Sequence, residues 1–135
     1  LTPQLRVDAN WTWLDARFDQ LIEAGGVSRK GNTPARIPET IANLFAFYSF
    51  EGLPLTVSAG LRHAGRFYTD NANTVRARGH TTVDAAIGYK LGAAELSLRG
   101  RNLTNAFYVD WTDMLPTQFQ VGAPRSVEVS LLTRF

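Results

Sequence analysis

Apolar and polar residues alternate one for one along most of this chain, and no other feature restricts its possible folds as much. Successive side chains of an extended strand point to opposite faces, so a strict period of two divides a segment into a dry side and a wet side. In the C-terminal RSVEVSLLTRF, Val127, Val129, Leu131 and Phe135 share one face, and Ser126, Glu128, Ser130 and Arg134 share the other. In QLRVDANWTWLDARF, Leu5, Val7, Ala9, Trp11 and Trp13 oppose Gln4, Arg6, Asp8, Asn10 and Thr12. The same period runs through NLFAFYSF, LTVSAGLRHAGRFY, TTVDAAIGYKL and AELSLRGR, although Phe45 and Phe47 spoil the polar face of the first of these. The pattern predicts antiparallel strands near residues 4 to 18, 41 to 50, 55 to 68, 80 to 91, 94 to 108 and 124 to 135. No stretch carries a period of 3.6, so helices should be absent or trivial.

A half-wet strand fits either a soluble sandwich or a membrane barrel, and the surroundings decide between them. No apolar run approaches the roughly 20 residues a spanning helix needs, which excludes a helical membrane protein. Mean hydropathy is slightly polar, as a barrel allows, because its lumen-facing residues average out the lipid-facing ones. Each strand matches or exceeds the roughly 9 to 11 tilted residues that cross a bilayer. Cysteine is absent, which removes disulfides, thiolate metal sites and cysteine nucleophiles. The formal charge is +2, and the arginines that carry it are dispersed. With no basic run, nucleic acid is not an expected partner. The chain starts at Leu1 without a leader, so a signal peptide is expected to be cleaved or to lie upstream.

The connections alternate between short and long. FEGLP and KLGAAE are tight turns, whereas residues 19 to 40, 69 to 79 and 109 to 123 are long and irregular. Bacterial barrels have short periplasmic turns and long extracellular loops, so the long segments should face outward. Aromatic residues fall where two interfacial girdles belong: Tyr48, Phe50, Tyr89 and Phe135 at the inner ends, and Trp11, Trp13, Phe67, Phe107, Tyr108 and Trp111 at the outer ends. Six strands are too few to close, since the smallest bacterial barrels have about eight. The chain therefore reads as a piece of a larger barrel.

Ordered motifs sharpen this reading. GNTPARIPET, AFYSF, LRHAGRFYTDNANT, TTVDAAIGYKL, LRGRNLTNAFYVD and VGAPRSVEVSLLTRF follow one another. In that order the chain resembles the C-terminal part of the β-barrel of TonB-dependent outer-membrane receptors. The most specific elements are Asn102, Leu103, Asn105 and Tyr108 of NLTNAFY, and Gly122, Pro124, Arg125 and Ser126 of GAPRS. The resemblance implies an all-β fold, a transmembrane antiparallel β-barrel of 22 strands of which residues 1–135 supply the last six, with the plug domain outside this sequence. It implies a multi-pass protein of the bacterial outer membrane that imports a ferric siderophore or similar metal chelate, energised by the TonB complex through that plug. Haem, cobalamin or carbohydrate import remains an alternative, as does a free-standing small barrel serving adhesion, structure or catalysis. The resemblance also implies that the terminal Phe135 is the signal read by the barrel-assembly machinery. Residue chemistry alone makes Asn102, Asn105, Gly122 and Pro124 barrel-building residues, because Asn bonds readily to local backbone and Pro tolerates a strand entry.

Catalytic chemistry is nearly silent. His63 falls on the lipid phase of its strand and His80 in an outer loop, without metal-ligand spacing. Asp70, Asp110, Asp113 and His80 are the one set that could meet above the barrel as a barrel enzyme would require. No enzyme activity, metal or cofactor is expected. A ligand would meet the outer loops and upper lumen, where the candidate contacts are Arg62, Arg66 and Tyr68 near the top of one strand, Arg29, Lys30, Arg36, Arg76 and Arg78 in the loops and Trp111 at the rim. Arginine suits anionic oxygens and aromatic rings suit planar groups. Each arginine has a plainer reading, pairing with a carboxylate on the next strand or touching lipopolysaccharide phosphate. Outer-membrane lipid is the remaining expected partner.

Overall fold

Strands, turns and loops, with no helix, make up residues 2–112 and 118–134, the parts of the chain that the computed structural model describes. In chain order the strands are β1 (Leu5–Trp13), β2 (Ile22–Glu23), β3 (Val27–Ser28), β4 (Thr40–Ser49), β5 (Leu55–Ala64), β6 (Phe67–Tyr68), β7 (Arg76–Ala77), β8 (His80–Leu91), β9 (Ala94–Arg101), β10 (Val109–Thr112), β11 (Phe119–Val121) and β12 (Ser126–Thr133). Six of them form one antiparallel sheet in the order β1-β4-β5-β8-β9-β12. The others are small hairpins inside the three long connections: β2 with β3, β6 with β7, and β10 with β11.

Register keeps the two faces separate across the whole sheet. Leu5 lies opposite Tyr48, Tyr48 opposite Val57, Val57 opposite Ile87, Ile87 opposite Leu98 and Leu98 opposite Val129. That apolar row crosses all six strands without slipping, and a one-residue slip anywhere would throw a polar residue onto it. The neighbouring row on the other face is Arg6, Phe47, Ser58, Ala86, Arg99 and Glu128. The apolar face is uncovered by protein, with Val127, Val129 and Leu131 each about two-thirds exposed. Hydrocarbon is the cover such a face fits.

Phe45 and Phe47, which break the alternation, lie on the polar face and find partners there. A side chain at Gly60, opposite Phe45, would come within 2.7 Å of the Phe45 ring, so the ring fills the space that glycine leaves. The Arg62 guanidinium sits 5.4 Å from the centre of the Phe45 ring, and Arg6 sits 5.6 Å from that of Phe47, within cation–π range. Hydrogen bonds link polar neighbours across strands, as between Asn43 and Asn10 at 2.9 Å and between the Ser97 and Ser130 hydroxyls at 2.6 Å.

Three expected strands run too far. The first ends at Trp13 rather than residue 18, where Leu14 gives its N–H to the Glu39 carbonyl and the chain turns into the first long connection. The third ends at Ala64, and Phe67 and Tyr68 pair instead with Ala77 and Arg76. The fifth ends at Arg101, because Asn102 adopts a φ of 45°, a left-handed conformation that breaks the pleat and that Asn tolerates better than most residues. Phe67, expected in the outer girdle, is tucked under its hairpin at 7% exposure beside the equally buried Ala77. Trp11, Trp13 and Phe107 are strongly exposed.

Candidate functional site

The three long connections do not stand apart; side chains tie the first two together. Asn71 and Asn73 of the second connection act as surrogate backbone for the first. The Asn73 Oδ1 accepts the Thr33 N–H at 2.9 Å while its Nδ2 donates to the Thr33 carbonyl at 2.8 Å, the reciprocal pairing of a strand neighbour. The Asn71 Oδ1 accepts the Ala35 N–H at 3.1 Å, and Asn32 Nδ2 returns a bond to the Asn71 carbonyl at 2.8 Å. Asn71 Nδ2 also donates to Glu23, which takes a second bond from Arg29 Nε at 2.8 Å. These two bonds, that from Arg29 foremost, hold the Glu23 carboxyl below its ordinary pKa. Asp70 is kept ionised in a local turn. Burial pushes its pKa up, but bonds from the Thr74 hydroxyl and the Thr74 and Val75 N–H groups outweigh it and bring the value down.

Arg36 stands where all three connections meet. Its backbone holds a φ of 67°, unusual for a residue with a side chain. Its N–H donates to the Tyr68 carbonyl at 2.7 Å, and its guanidinium reaches the Thr112 carbonyl of the third connection at 3.3 Å. A cavity of about 440 Å³ opens beside it between the first two connections, in the size range of small-molecule sites.

Apart from Arg29 and Arg36, the candidate contacts read from the sequence are distributed around this rim rather than gathered in that cavity. Arg66 donates from Nε to Glu39 at 3.0 Å. Arg76 donates from Nη2 to the Tyr68 hydroxyl at 2.6 Å and also lies over its ring. Trp111 sits half-exposed on β10. Arg62 belongs to the lumen face, 3.7 Å from Asp84 on the next strand, the plainer pairing expected for it. There it edges a second cavity of about 370 Å³ with Phe45, Phe47, Arg99 and Arg101. Arg36 was among the expected loop contacts, whereas Asn71 and Asn73 were not. Their signal was the Asn-rich TDNANT, a composition typical of turns, and only the fold says what those turns hold.

The motif residues build the barrel rim. Asn102, 5% exposed, spends its whole amide: Nδ2 donates to the Ala106 and Ala123 carbonyls at 3.0 and 2.9 Å, and Oδ1 accepts from the Ala106 N–H and the Thr104 hydroxyl. Asn105 Oδ1 receives the Arg125 N–H at 3.2 Å. Tyr108 packs so closely over Gly122 that no side chain fits there. It also stacks on His80, which opens β8 rather than lying in a loop. Burial, reinforced by Asp110, raises the Tyr108 phenol above its ordinary pKa. Tyr108 is thus a packing residue and not a girdle residue. His63 is on the apolar face as expected, bonded to the Thr81 hydroxyl at 2.8 Å. Asp113 and Phe135 lie outside the described residues.

Comparison with known proteins gives these features a lineage. Residues 2–105 match the family model described as TonB dependent receptor-like, beta-barrel. The ferrichrome outer membrane transporter/phage receptor of Escherichia coli (strain K12) is 34% identical over 106 residues, 76% of this chain and 13% of that protein. The ferrioxamine receptor of Yersinia enterocolitica is 34% identical over 100 residues, 74% of this chain and again 13% of the relative. The chain thus spans about an eighth of the length of these curated relatives. Among solved structures, the siderophore receptor PiuA from Acinetobacter baumannii superposes with a TM-score of 0.84 at 23% identity, over 97% of this chain and 20% of its own. BauA, the ferric preacinetobactin receptor of the same species, gives 0.76 at 26% identity, over 96% of this chain and 20% of its own. The sheet with its apolar outer face is barrel wall of the bacterial outer membrane, and the chain belongs to the TonB-dependent receptor-like β-barrel family.

Proposed function

We propose that this chain forms part of the wall and outer rim of a receptor that captures a ferric siderophore or similar metal chelate and imports it across the outer membrane. The observation that carries this reading is the pair of curated relatives, each 34% identical over about three-quarters of the chain and each named for a siderophore. The sheet supplies the last six strands of a 22-stranded barrel. β1 and β12 each have a strand on one side only, and unpaired strand edges are too costly in hydrocarbon to stand alone. That cost, with the much greater length of the relatives, argues against a free-standing small barrel. A plug outside residues 1–135 couples the receptor to the TonB complex, and Phe135 is read by the barrel-assembly machinery. Lipid and lipopolysaccharide meet the outer girdle at Trp11, Trp13 and Phe107. Transport rather than catalysis suits the side chains, since Asp70 is spent in its turn and His63 and His80 in packing.

The test is uptake of radioactive iron by cells carrying the full-length receptor as their sole outer-membrane route. Uptake from a ferric siderophore that stops when TonB is removed is the expected result. Uptake indifferent to TonB, or supply of haem, cobalamin or carbohydrate without iron chelates, overturns it. Deleting Phe135 should lower the amount of assembled receptor while leaving the affinity of the assembled fraction unchanged.

A further inference from the structure

We infer that the cavity beside Arg36 is a binding pocket for acceptor-rich, net-negative oxygen groups, so that the chelate this receptor takes is anionic at its periphery rather than cationic. The inference rests on the import reading above and adds the charge class of the substrate.

The residues around the cavity look balanced by formal charge, with Arg29 and Arg36 against Glu23 and Asp70. Their hydrogen bonds are not balanced. Both Glu23 oxygens are taken, one by Arg29 and one by Asn71. Both Asp70 oxygens are taken by Thr74 and Val75. The Asn71 side-chain oxygen is taken by the Ala35 N–H. Each side-chain oxygen of Glu23, Asp70 and Asn71 therefore already has a donor. The donors are less fully used among the described residues. A guanidinium carries five N–H groups. Among the described residues Arg36 uses one, to the Thr112 carbonyl, and Arg29 uses only its Nε. Among the described residues, the two arginines of the cavity lining thus keep N–H groups to spare, while each carboxylate oxygen of Glu23 and Asp70 already has a donor. Forked guanidinium donors match carboxylate and other paired oxygens.

The backbone of Arg36 points the same way. A φ of 67° is one that glycine adopts at no cost and arginine does not. Left-handed conformations held at non-glycine residues cluster at ligand-contacting positions. Here the strained residue places its charge at the junction of three loops, where a glycine would serve the turn better and the cavity worse.

That same φ supplies a clean variant, because Arg36→Gly removes the guanidinium while relieving the backbone. Full-length receptor, parent and variant, would be titrated with a net-negative ferric tris-catecholate and with a net-positive ferric trihydroxamate bearing an ammonium tail. The parent should prefer the anionic chelate. Arg36→Gly should lose roughly 10- to 100-fold in affinity for it, the worth of one or two charge-assisted bonds, with the cationic chelate unchanged or improved. Arg36→Lys, which keeps the charge but not the fork, should fall between. Equal affinity of parent and Arg36→Gly for the anionic chelate, an equal loss for both chelates, or a parent that prefers the cationic one overturns the inference and leaves siderophore import standing. If the parent binds neither chelate yet binds iron-free citrate through Arg36, the pocket's preference stands and the import reading falls.

Discussion

Tyr108 lies nearly flat on His80, ring centres 3.8 Å apart and planes 13° from parallel, and the same ring covers the α-carbon of Gly122. The contact clamps the exit of the fifth sheet strand onto the entry of the sixth. Gly122→Ala should destabilise the folded receptor by about 1–3 kcal/mol, the usual cost of forcing a methyl group into filled space. Urea unfolding in lipid vesicles would measure it. Tyr108→Ala combined with Gly122→Ala should cost less than the sum of the two changes, since the obstacle is then gone. Additive costs would show that the ring does not press on Gly122.

Asn102→Asp tests the rim more severely, because the side chain keeps its shape and loses both donors. The Ala106 and Ala123 carbonyls would then face a carboxylate, at about 1–3 kcal/mol for each buried group left unsatisfied. Heat-modifiable migration on gels should show less assembled receptor. Affinity of the assembled fraction for the proposed chelate should match the parent, and a selective loss of affinity instead would place Asn102 in ligand binding.

The two faces of β12 should respond unequally to charge. Val129 and Leu131 pair with Leu98 and Leu96 on the apolar face, so arginine at either should cost roughly 2–4 kcal/mol at mid-membrane depth. Ser130→Arg should cost much less, as it gives up only the exposed bond to Ser97. Equal costs in vesicle unfolding would mean that the apolar face does not meet lipid.

Acid should loosen the tie between the first two long connections. The carboxylate form of Glu23 is favoured in the folded rim, its pKa lowered from 4.5 by the bond from Arg29 and then that from Asn71. A lowered value means the contribution is whole above about pH 4.5 and fades as pH falls through the depressed pKa. Hydrogen exchange at the Ala35 and Thr33 amides, corrected for intrinsic rates, should quicken in that range. In Glu23→Gln exchange should be fast throughout. A parent-like acid dependence in that variant would assign the effect elsewhere.

The strands were legible because their signal is local: a period of two needs no knowledge of what lies opposite, and Leu5 to Trp13 announce their own two faces. What lay opposite could not be read. Phe45 looked like an error in the pattern until register set Gly60 beneath it. Phe67 looked like a girdle residue because nothing in RFYTDN says that it pairs with Ala77. The motif asparagines suggested bonding to nearby backbone, as Asn102 makes to Ala106, but its bond to Ala123 and that of Asn105 to the Arg125 N–H reach across 21 and 20 residues that no local pattern encodes. At the candidate site, Arg66 and Tyr68 stood out by strand phase. Arg36 acquires its importance from contacts 32 and 76 residues away in sequence, with Tyr68 and Thr112, which no pattern along the chain encodes.

Asn71 and Asn73 complete the backbone bonding of a loop that is not their own. Neither loop is therefore a self-contained module. A chimera that transplants residues 14–39 onto another barrel would carry half a joint, with the Thr33 and Ala35 amides open to water, and a length change in one loop would have to be matched in the other. Diversification of this rim would have to proceed by exchanging the two loops together.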